Sequence, residues 1–338
     1  MTIQWDVSLQ PFNSFGLAAW ARQFCLIQSI PDLQALLLEN RTQPVLILGG
    51  GNNCLFIRSV YPGLVVKNGI KGIEIVEEDE NEVLLKVGGG ENWHELVLWC
   101  VAHGFGGIEN LSLIPGTVGA APIQNIGAYG VELKDVFEKL DAVSLETELL
   151  KTYPKVVCDF GYRSSLFKKA LNGKVVICHV YLRLSKQNHR LNTSYGAIND
   201  FLEAQGVAEP SIAAISEAVI AIRKSKLPDP AVIGNAGSFF KNPEIPFGQF
   251  QELKTKFPHI INYPGSDGLV KIPAGWLIEQ CGWKGKRVGN VGCYEHQALV
   301  LVNYGGATGE DLKAHADRVS ASVLEKFGIQ LTPEVNMI

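Results

Sequence analysis

Residues Ile114 to Gly130 read IPGTVGAAPIQNIGAYG and contain four glycines, two prolines, one aromatic residue and no charge. Glycine gives up side-chain packing in return for backbone freedom and close approach to a neighbour, so this stretch predicts a backbone that contacts a ligand. Gly116 and Gly119 form a G-x-x-G turn whose amides could converge on an anion, and Gln124 and Asn125 supply side-chain amides able to pair with a heterocycle. A tight turn between strands with no ligand is the alternative interpretation.

A second glycine cluster follows a short apolar run. The run PVLIL, from Pro44 to Leu48, predicts a buried strand that leads directly into Gly49-Gly50-Gly51-Asn52-Asn53, and the amides of that loop could hold a phosphate. Cys54 stands where a dinucleotide fingerprint needs glycine, and no G-K-[ST] occurs in the chain. A plain turn is the alternative here. Two ligand-facing loops on one chain favour a long cofactor.

A third cluster, Gly88-Gly89-Gly90, follows the predicted strand Val83 to Val87 and precedes a helical pattern. Because turns between a strand and a helix commonly use glycine, we interpret it as a plain turn.

Composition limits the class of protein. The chain has 338 residues, of which 46% are hydrophobic and 19% charged, which is typical of a globular protein of two or three domains. The net charge is −4 and there is no run of Lys or Arg, so nucleic acid is not expected as a partner.

Cysteine usage and the amino terminus indicate the compartment. The seven cysteines include no C-x-x-C pair and the seven histidines no H-E-x-x-H, so neither disulfides nor a metal site is expected. The start MTIQWDVSLQ has no signal-peptide pattern, and no apolar stretch reaches the roughly 18 residues that span a bilayer. We expect a cytoplasmic protein without a membrane partner.

Helix and strand patterns alternate along the chain, which predicts an α+β or α/β fold. The clearest helices are predicted over residues 31–40 after Ser29, over 91–103 before Gly104, from Ser211 to the Leu227-Pro228-Asp229-Pro230 break, and from the Thr308-x-x-Asp311 box to Gly328.

Few polar residues indicate chemistry by themselves. Ser238, in GNAGSFFKNP, is a small hydroxyl on a flexible backbone beside two aromatic rings, where it could deliver a proton, act as a nucleophile or satisfy local backbone groups. The G-x-S-x-G pattern of serine hydrolases is absent. Arg223 and Lys226 could complement a helix dipole or hold a diphosphate. The positions of Arg163 and Glu334 in the sequence do not by themselves indicate a role.

Five ordered segments carry a resemblance that covers essentially the whole chain. They are IPGTVGAAPIQNIGAYG, FGYRSSLFK, SKLPDP, GNAGSFFKNP and AGWLIEQCGWKG. Together they resemble the UDP-N-acetylenolpyruvoylglucosamine reductases (UDP-N-acetylmuramate dehydrogenases), which are flavoenzymes of peptidoglycan synthesis. Tyr195, in Asn192-Thr193-Ser194-Tyr195-Gly196, resembles the tyrosine loop of the longer subclass, where it covers the diphosphate.

The resemblance implies an α+β flavoprotein of three domains. Residues 1–68 with 328–338, and residues 69–213, would form an FAD-binding half of the vanillyl-alcohol-oxidase type, and residues 214–327 a substrate-binding domain. It also implies that NADPH reduces the FAD and then leaves, so that the UDP-sugar enolpyruvyl ether reacts second in a ping-pong sequence. A monomer is expected.

Residue roles follow from the same resemblance. Arg163 and Glu334 match the residues that stabilise an enediolate-like intermediate, and Ser238 matches the residue that protonates carbon. The implied FAD contacts are Gly49, Gly50, Gly51, Asn52, Asn53, Pro115, Gly116, Gly119, Ile123, Gln124, Asn125, Gly127 and Ala128. The implied substrate contacts are Tyr162, Tyr195, Arg223, Lys226, Asn242, Tyr263 and Gln297.

The chain departs from the family pattern at three places. Asn336 stands where relatives often have arginine, Asn52 stands where serine is usual, and Ala120-Ala121 replaces a commonly hydroxylated pair. We expect altered affinity more than lost activity. A related carbohydrate or alcohol oxidase, a non-catalytic sugar-nucleotide sensor and a serine hydrolase are the alternative functions.

Overall fold

A computed structural model describes residues 2–40 and 42–338 of the chain. Met1 and Arg41, which belong to the predicted first domain, lie outside the described residues. The helices α1 to α7 are, in chain order, Ile30–Glu39, Trp93–Ala102, Gly196–Ala204, Ile212–Lys226, Phe247–Lys256, Ala274–Gln280 and Gly309–Phe327. None of the helices formed by the described residues is both long and apolar enough to cross a bilayer.

Strands of different lengths lie before, between and after these helices. The strands β1 to β20 are Gln4–Ser8, Trp20–Ile27, Val45–Leu48, Cys54–Leu55, Val60–Asn68, Ile73–Glu78, Glu82–Gly88, Gly127–Ala128, Val131–Glu132, Phe137–Ser144, Leu150–Pro154, Val175–Ser185, Gly234–Ser238, Glu244–Ile245, Tyr263–Pro264, Val270–Lys271, Arg287–Val288, Val291–Cys293, Val300–Asn303 and Asn336–Met337.

The chain folds into two compact units. Unit 1 comprises Met1–Val7, Ala21–Gly50 and Pro62–Arg223, and unit 2 comprises Ser8–Trp20, Gly51–Tyr61 and Lys224–Ile338. The three-domain boundaries expected from the sequence stay predictions.

Helix α1 in unit 1 begins where the sequence predicts. The Ser29 hydroxyl accepts the amide of Asp32, and Leu33, Leu36 and Leu37 are buried on one face. These leucines join a core that also contains residues of β2 and β5, two strands of the sheet ordered β1-β2-β5-β3. Because β3 pairs with β5 in parallel, the predicted strand before the Gly49 loop forms one edge of this sheet, and its end fixes where the loop begins.

A second sheet of unit 1 is antiparallel, in the order β11-β10-β12-β7-β6. Helix α2 buries Trp93, Leu96, Val97 and Cys100 against it, and the chain turns at Gly104 with a φ of 73°. The stretch after Ile114 forms a short 3-10 helix, Val118–Gln124, which packs on β12 and β7. The glycine-rich stretch is therefore attached to the centre of a sheet.

Helices α3 and α4 pack on each other in unit 1. Ile198 and Leu202 of α3 meet Ile215, Val219 and Ile222 of α4 in one apolar cluster. The Ser211 hydroxyl accepts the amide of Ala214, which confirms the predicted helix start.

Unit 2 has its own core around a sheet in the order β13-β19-β18-β17. Helix α7 packs on this sheet and on α6. Its predicted start and end are confirmed, because Thr308 and Asp311 form a reciprocal capping box and Gly328 ends the helix with a φ of 64°.

Helix α7 also carries a fully buried histidine. His315 is 0% exposed, its Nε2 lies 3.6 Å from Cys293 Sγ, and its ring meets Trp283 edge to face at 5.2 Å. Burial, together with the smaller effect of the positive charges of Arg318 and Lys286, lowers the pKa of His315 from 6.5 to about 4. Because the unfolded chain gains the proton first, this group lowers the free energy of unfolding as the pH falls from 6.5 to about 4.

We predict that His315→Gln flattens the pH dependence of stability in that window by about 2–3 kcal/mol, since glutamine does not titrate. Urea unfolding at a series of pH values measures it. The exposed His259→Gln is the matched control and keeps the wild-type slope. An unchanged slope in His315→Gln would show that another group is responsible.

Candidate active site

The Gly49 loop of unit 1 leaves no room for a side chain. A Cβ on Gly49 would lie 2.7 Å from Thr117 Oγ1, and the carbonyl of Gly49 accepts the ammonium group of Lys67. Thr117 is 9% exposed, and its hydroxyl has no hydrogen-bond partner within the described part of the chain. A buried hydroxyl of this kind usually needs a partner, so the space beside Gly49 and Thr117 fits a polar ligand group. No sequence pattern pointed to Thr117, because the loop that it approaches is distant along the chain.

The Gly116–Gly119 turn uses part of its backbone internally. The amides of Val118 and Gly119 donate to the carbonyls of Glu91 and Gly89 at 2.9 and 2.8 Å. These two amides are therefore not available to an anion, although the sequence suggested that the amides of this turn could converge on one. The physical reason is that the 3-10 helix is fastened to the loop that ends β7.

That loop, Gly88 to Gly90, is a structural turn. Its three amides donate to backbone carbonyls of Gly72, Cys178 and Ile70. The interpretation as a plain turn is confirmed, and glycine is needed there because a Cβ on Gly89 would lie 2.4 Å from the carbonyl oxygen of Ile177.

Asn125 ends the 3-10 helix in the left-handed conformation, with a φ of 44°. Its Nδ2 donates to Glu132 Oε2 at 3.0 Å and to the carbonyl of Gly161 at 3.2 Å, and its Oδ1 accepts the amide of Lys134 at 3.0 Å. Both donor hydrogens and the carbonyl are thus engaged inside the protein. The prediction that this side chain pairs with a heterocycle is wrong; Asn125 holds the loop in shape. Gln124 is half-buried, and its Oε1 accepts the Lys168 ammonium at 3.2 Å.

Three further predicted FAD contacts, Ile123, Gly127 and Ala128, lie close to Asn125 in the chain. Ile123 accepts the Ser165 hydroxyl through its carbonyl, and Gly127–Ala128 pair with Val131–Glu132.

The part of the second glycine loop that lies in unit 2 is shaped by packing. A Cβ on Gly51 would lie 1.8 Å from the carbonyl oxygen of Phe12, so only glycine fits, at a φ of 69°. Asn53 Nδ2 donates to the carbonyl of Glu334, and the backbone and side-chain amides of Asn336 both donate to the carbonyl of Asn53. Asn336 therefore fastens the carboxyl-terminal strand to this loop.

Two arginines of unit 1 lie near each other. Arg163 has a φ of 50°, and its Nη2 donates to the carbonyl of Gly127 at 2.7 Å. The Arg223 guanidinium donates to the Tyr129 hydroxyl, and burial together with the positive charge of Arg163 lowers the pKa of Arg223. Burial raises the pKa of Tyr129, so this hydroxyl keeps its proton. Two half-buried cations that repel each other in this way favour the binding of an anion.

Ser238 and Glu334 lie on adjacent segments of unit 2. The Glu334 amide donates to the carbonyl of Phe239, the residue after Ser238, at 2.8 Å. Ser238 ends β13 after a bulge in its pairing with β19, where Gly237 has a φ of 67°. Asn235 shapes this bulge, because its side chain donates to two backbone carbonyls and accepts the Gly237 amide. A bulge re-aims the side chain next to it, and Ser238 is exposed.

The other predicted substrate residues fall in both units. Tyr162 and Tyr195 are exposed in unit 1, whereas Lys226 and Tyr263 are exposed in unit 2. Asn242 Oδ1 accepts the amide of Ala274 at 2.9 Å, and Gln297 Oε1 accepts the amide of Leu299 at 3.4 Å.

Comparison with known proteins identifies the family. Residues 21–153 match a family described as FAD binding domain, and residues 229–338 match the UDP-N-acetylenolpyruvoylglucosamine reductase, C-terminal domain. The chain is 47% identical over 338 residues to UDP-N-acetylenolpyruvoylglucosamine reductase of Flavobacterium johnsoniae, with 100% of both chains covered. The chain belongs to this reductase family. The reductase of Amoebophilus asiaticus is 51% identical over 340 residues, again with 100% of both chains covered.

A solved structure supports the fold of the family member. The crystal structure of the reductase from Thermus caldophilus matches with a TM-score of 0.69 at 23% identity, covering 100% of this chain and 99% of that one. The predicted α+β fold with an FAD-binding part is confirmed, and the assignment of that part to the vanillyl-alcohol-oxidase type stays a prediction. The chain is an FAD-dependent oxidoreductase of peptidoglycan synthesis, in a family that uses NADPH as reductant.

The close approach of the Gly49 loop to Thr117 gives a test of FAD binding. We predict that Gly49→Ala weakens FAD binding about tenfold or more, because a Cβ at 2.7 Å forces the Thr117 hydroxyl or the loop away. Titration of the flavin-free protein with FAD, followed by flavin fluorescence, measures it. Gly248→Ala is the matched control, since nothing lies within 4 Å of the Cβ that it would add in α5. Equal FAD affinity in the Gly49 variant and the control would contradict the assignment.

Proposed function

We propose that this reductase converts UDP-N-acetylglucosamine enolpyruvate to UDP-N-acetylmuramate with NADPH, in a ping-pong sequence. The observation that carries the proposal is the hydrogen bond from the Glu334 amide to the Phe239 carbonyl. It sets a carboxyl group beside the segment that presents the exposed Ser238 hydroxyl, in a chain whose relatives bear the name of this reductase.

FAD, when bound, accepts hydride from NADPH and supplies it to the terminal carbon of the enolpyruvyl group. We propose that FAD binds to the predicted loops. Thr117 joins the set of proposed contacts, and the side chain of Asn125 leaves it. Gly49, Gly50, Gly51, Asn52, Asn53, Pro115, Gly116, Gly119, Ile123, Gln124, Gly127 and Ala128 remain the proposed contacts.

The enolpyruvyl double bond is electron-rich, so its terminal carbon takes hydride only if charge moves onto the neighbouring carboxylate. Arg163 stabilises that charge with its guanidinium. Glu334 is the second residue that we assign to stabilising this charge. The Ser238 hydroxyl then gives its proton to the second carbon, which completes the addition of one hydride and one proton across the double bond.

Substrate recognition uses further side chains. We propose that Tyr162, Tyr195, Arg223, Lys226, Asn242, Tyr263 and Gln297 bind the UDP-sugar, with Tyr195 over the diphosphate. The proposal also includes a cytoplasmic monomer that has no nucleic-acid partner.

Initial rates with both substrates varied test the sequence of events. A ping-pong enzyme gives parallel double-reciprocal lines and forms one UDP-N-acetylmuramate for each NADPH consumed. Intersecting lines would contradict the ping-pong sequence. Consumption of NADPH with peroxide as the product would instead show an oxidase and overturn the proposed function.

A further inference from the structure

Arg223 lies beside Tyr129, whose ring packs against the apolar cluster of α3 and α4. It lies near the carboxyl-terminal end of α4, largely buried, and its guanidinium donates to the hydroxyl of Tyr129. Its Nε is buried and has no hydrogen-bond partner among the described residues. Buried N–H groups are almost always paired, so this one points to a ligand atom that completes the site.

Tyr129 is itself fixed in an uncommon backbone conformation, with a φ of 50°. Asn110 Nδ2 donates to its carbonyl at 3.2 Å and to the carbonyl of Asn192 at 2.9 Å, which joins this turn to the loop that carries Tyr195. The rings of Tyr129 and Tyr195 meet edge to face at 5.1 Å. A non-glycine residue with positive φ persists only where its surroundings hold it, and such residues cluster at functional sites.

We propose that Tyr129 is a positioning residue that holds the Arg223 guanidinium beside Arg163, so that two guanidinium groups bind the carboxylate of the substrate. This inference rests on the proposed function, and it assigns Arg223 to the carboxylate instead of the diphosphate.

The choice of ligand group follows from the neighbouring cation. Arg223 lies close enough to Arg163 for the two positive charges to repel, and a shared anion offsets that repulsion. Arg163 is the residue assigned to the substrate carboxylate, so the same group is the nearest anion for Arg223. A carboxylate also suits a planar guanidinium fork, because it accepts two parallel hydrogen bonds.

Two nucleotides distinguish recognition of the carboxylate from recognition of the diphosphate. UDP-N-acetylmuramate carries the carboxylate and the diphosphate, whereas UDP-N-acetylglucosamine carries the diphosphate alone. Isothermal titration of the FAD-loaded protein with each ligand gives the preference for the carboxylate-bearing one. We expect Tyr129→Phe to lower that preference about five- to tenfold while leaving the affinity for UDP-N-acetylglucosamine unchanged.

A double-mutant cycle tests whether Tyr129 acts through Arg223. Arg223→Met is expected to lower the preference further than Tyr129→Phe, and adding Tyr129→Phe to it should change nothing more. Tyr181→Phe is the matched control, because it also removes a hydroxyl donor in unit 1, the one that donates to Asp141 at 2.8 Å.

The outcomes separate this inference from the proposed function. Equal weakening of both ligands by Tyr129→Phe would place Arg223 at the diphosphate and overturn the inference, as would additive effects of the two substitutions. If the wild-type protein bound neither nucleotide, the proposed function itself would fail.

Discussion

Replacing Ser238 by alanine is expected to slow the reaction of reduced enzyme with UDP-N-acetylglucosamine enolpyruvate by about 10²–10⁴-fold. The hydroxyl serves only as the proton donor to carbon, so the preceding reduction of FAD by NADPH should proceed near the wild-type rate. Anaerobic stopped-flow measurement of the flavin colour follows the two steps separately.

The control for this prediction is Ser322→Ala, which removes a half-buried hydroxyl from α7. This hydroxyl accepts a hydrogen bond from the Trp283 ring and donates one to the carbonyl of Val319. The substitution should leave both steps unchanged. If Ser238→Ala slowed FAD reduction as much as reoxidation, the serine would be shaping the site as a whole, and its assignment as proton donor would be wrong.

Arg163→Ala is expected to slow the same second step by about 10²–10³-fold, the usual loss when a donor aimed at developing negative charge is removed. The substitution also removes the hydrogen bond to the Gly127 carbonyl, so FAD content must be measured with the rates. Reduction by NADPH should again stay close to the wild-type rate.

Arg183→Ala is the matched control for Arg163→Ala. Arg183 lies in the same unit on β12, where it pairs with Glu77 and Glu138 at the surface. Its loss should leave both steps unchanged. Comparable effects of the two variants would mean that the charge at residue 163 has no special relation to the substrate.

Local signals made the helices predictable. Ser29, the Thr308–Asp311 box and Gly328 act within one turn of the residues they affect, so the sequence alone indicated where α1 and α7 begin or end. The glycine clusters were recognisable for the same reason.

Contacts between distant segments were not predictable. Thr117 occupies the space that a side chain on Gly49 would need, and Tyr129 lies beside Arg223; neither pair has a spacing that sequence patterns report. For Asn125 the sequence suggested a contact that the folded chain does not leave open. Its residue type suggested a ligand contact, but Glu132, Gly161 and Lys134 use all of its side-chain groups once the chain has folded.

The central claim is that this chain uses bound FAD to carry hydride from NADPH to an enolpyruvyl ether. The most direct measurement is the visible spectrum of the purified protein during two anaerobic additions. The account predicts a yellow protein that NADPH bleaches and that recovers its colour on addition of UDP-N-acetylglucosamine enolpyruvate. A protein that stays colourless after incubation with FAD, or a bleached one that oxygen but not this nucleotide restores, would contradict it.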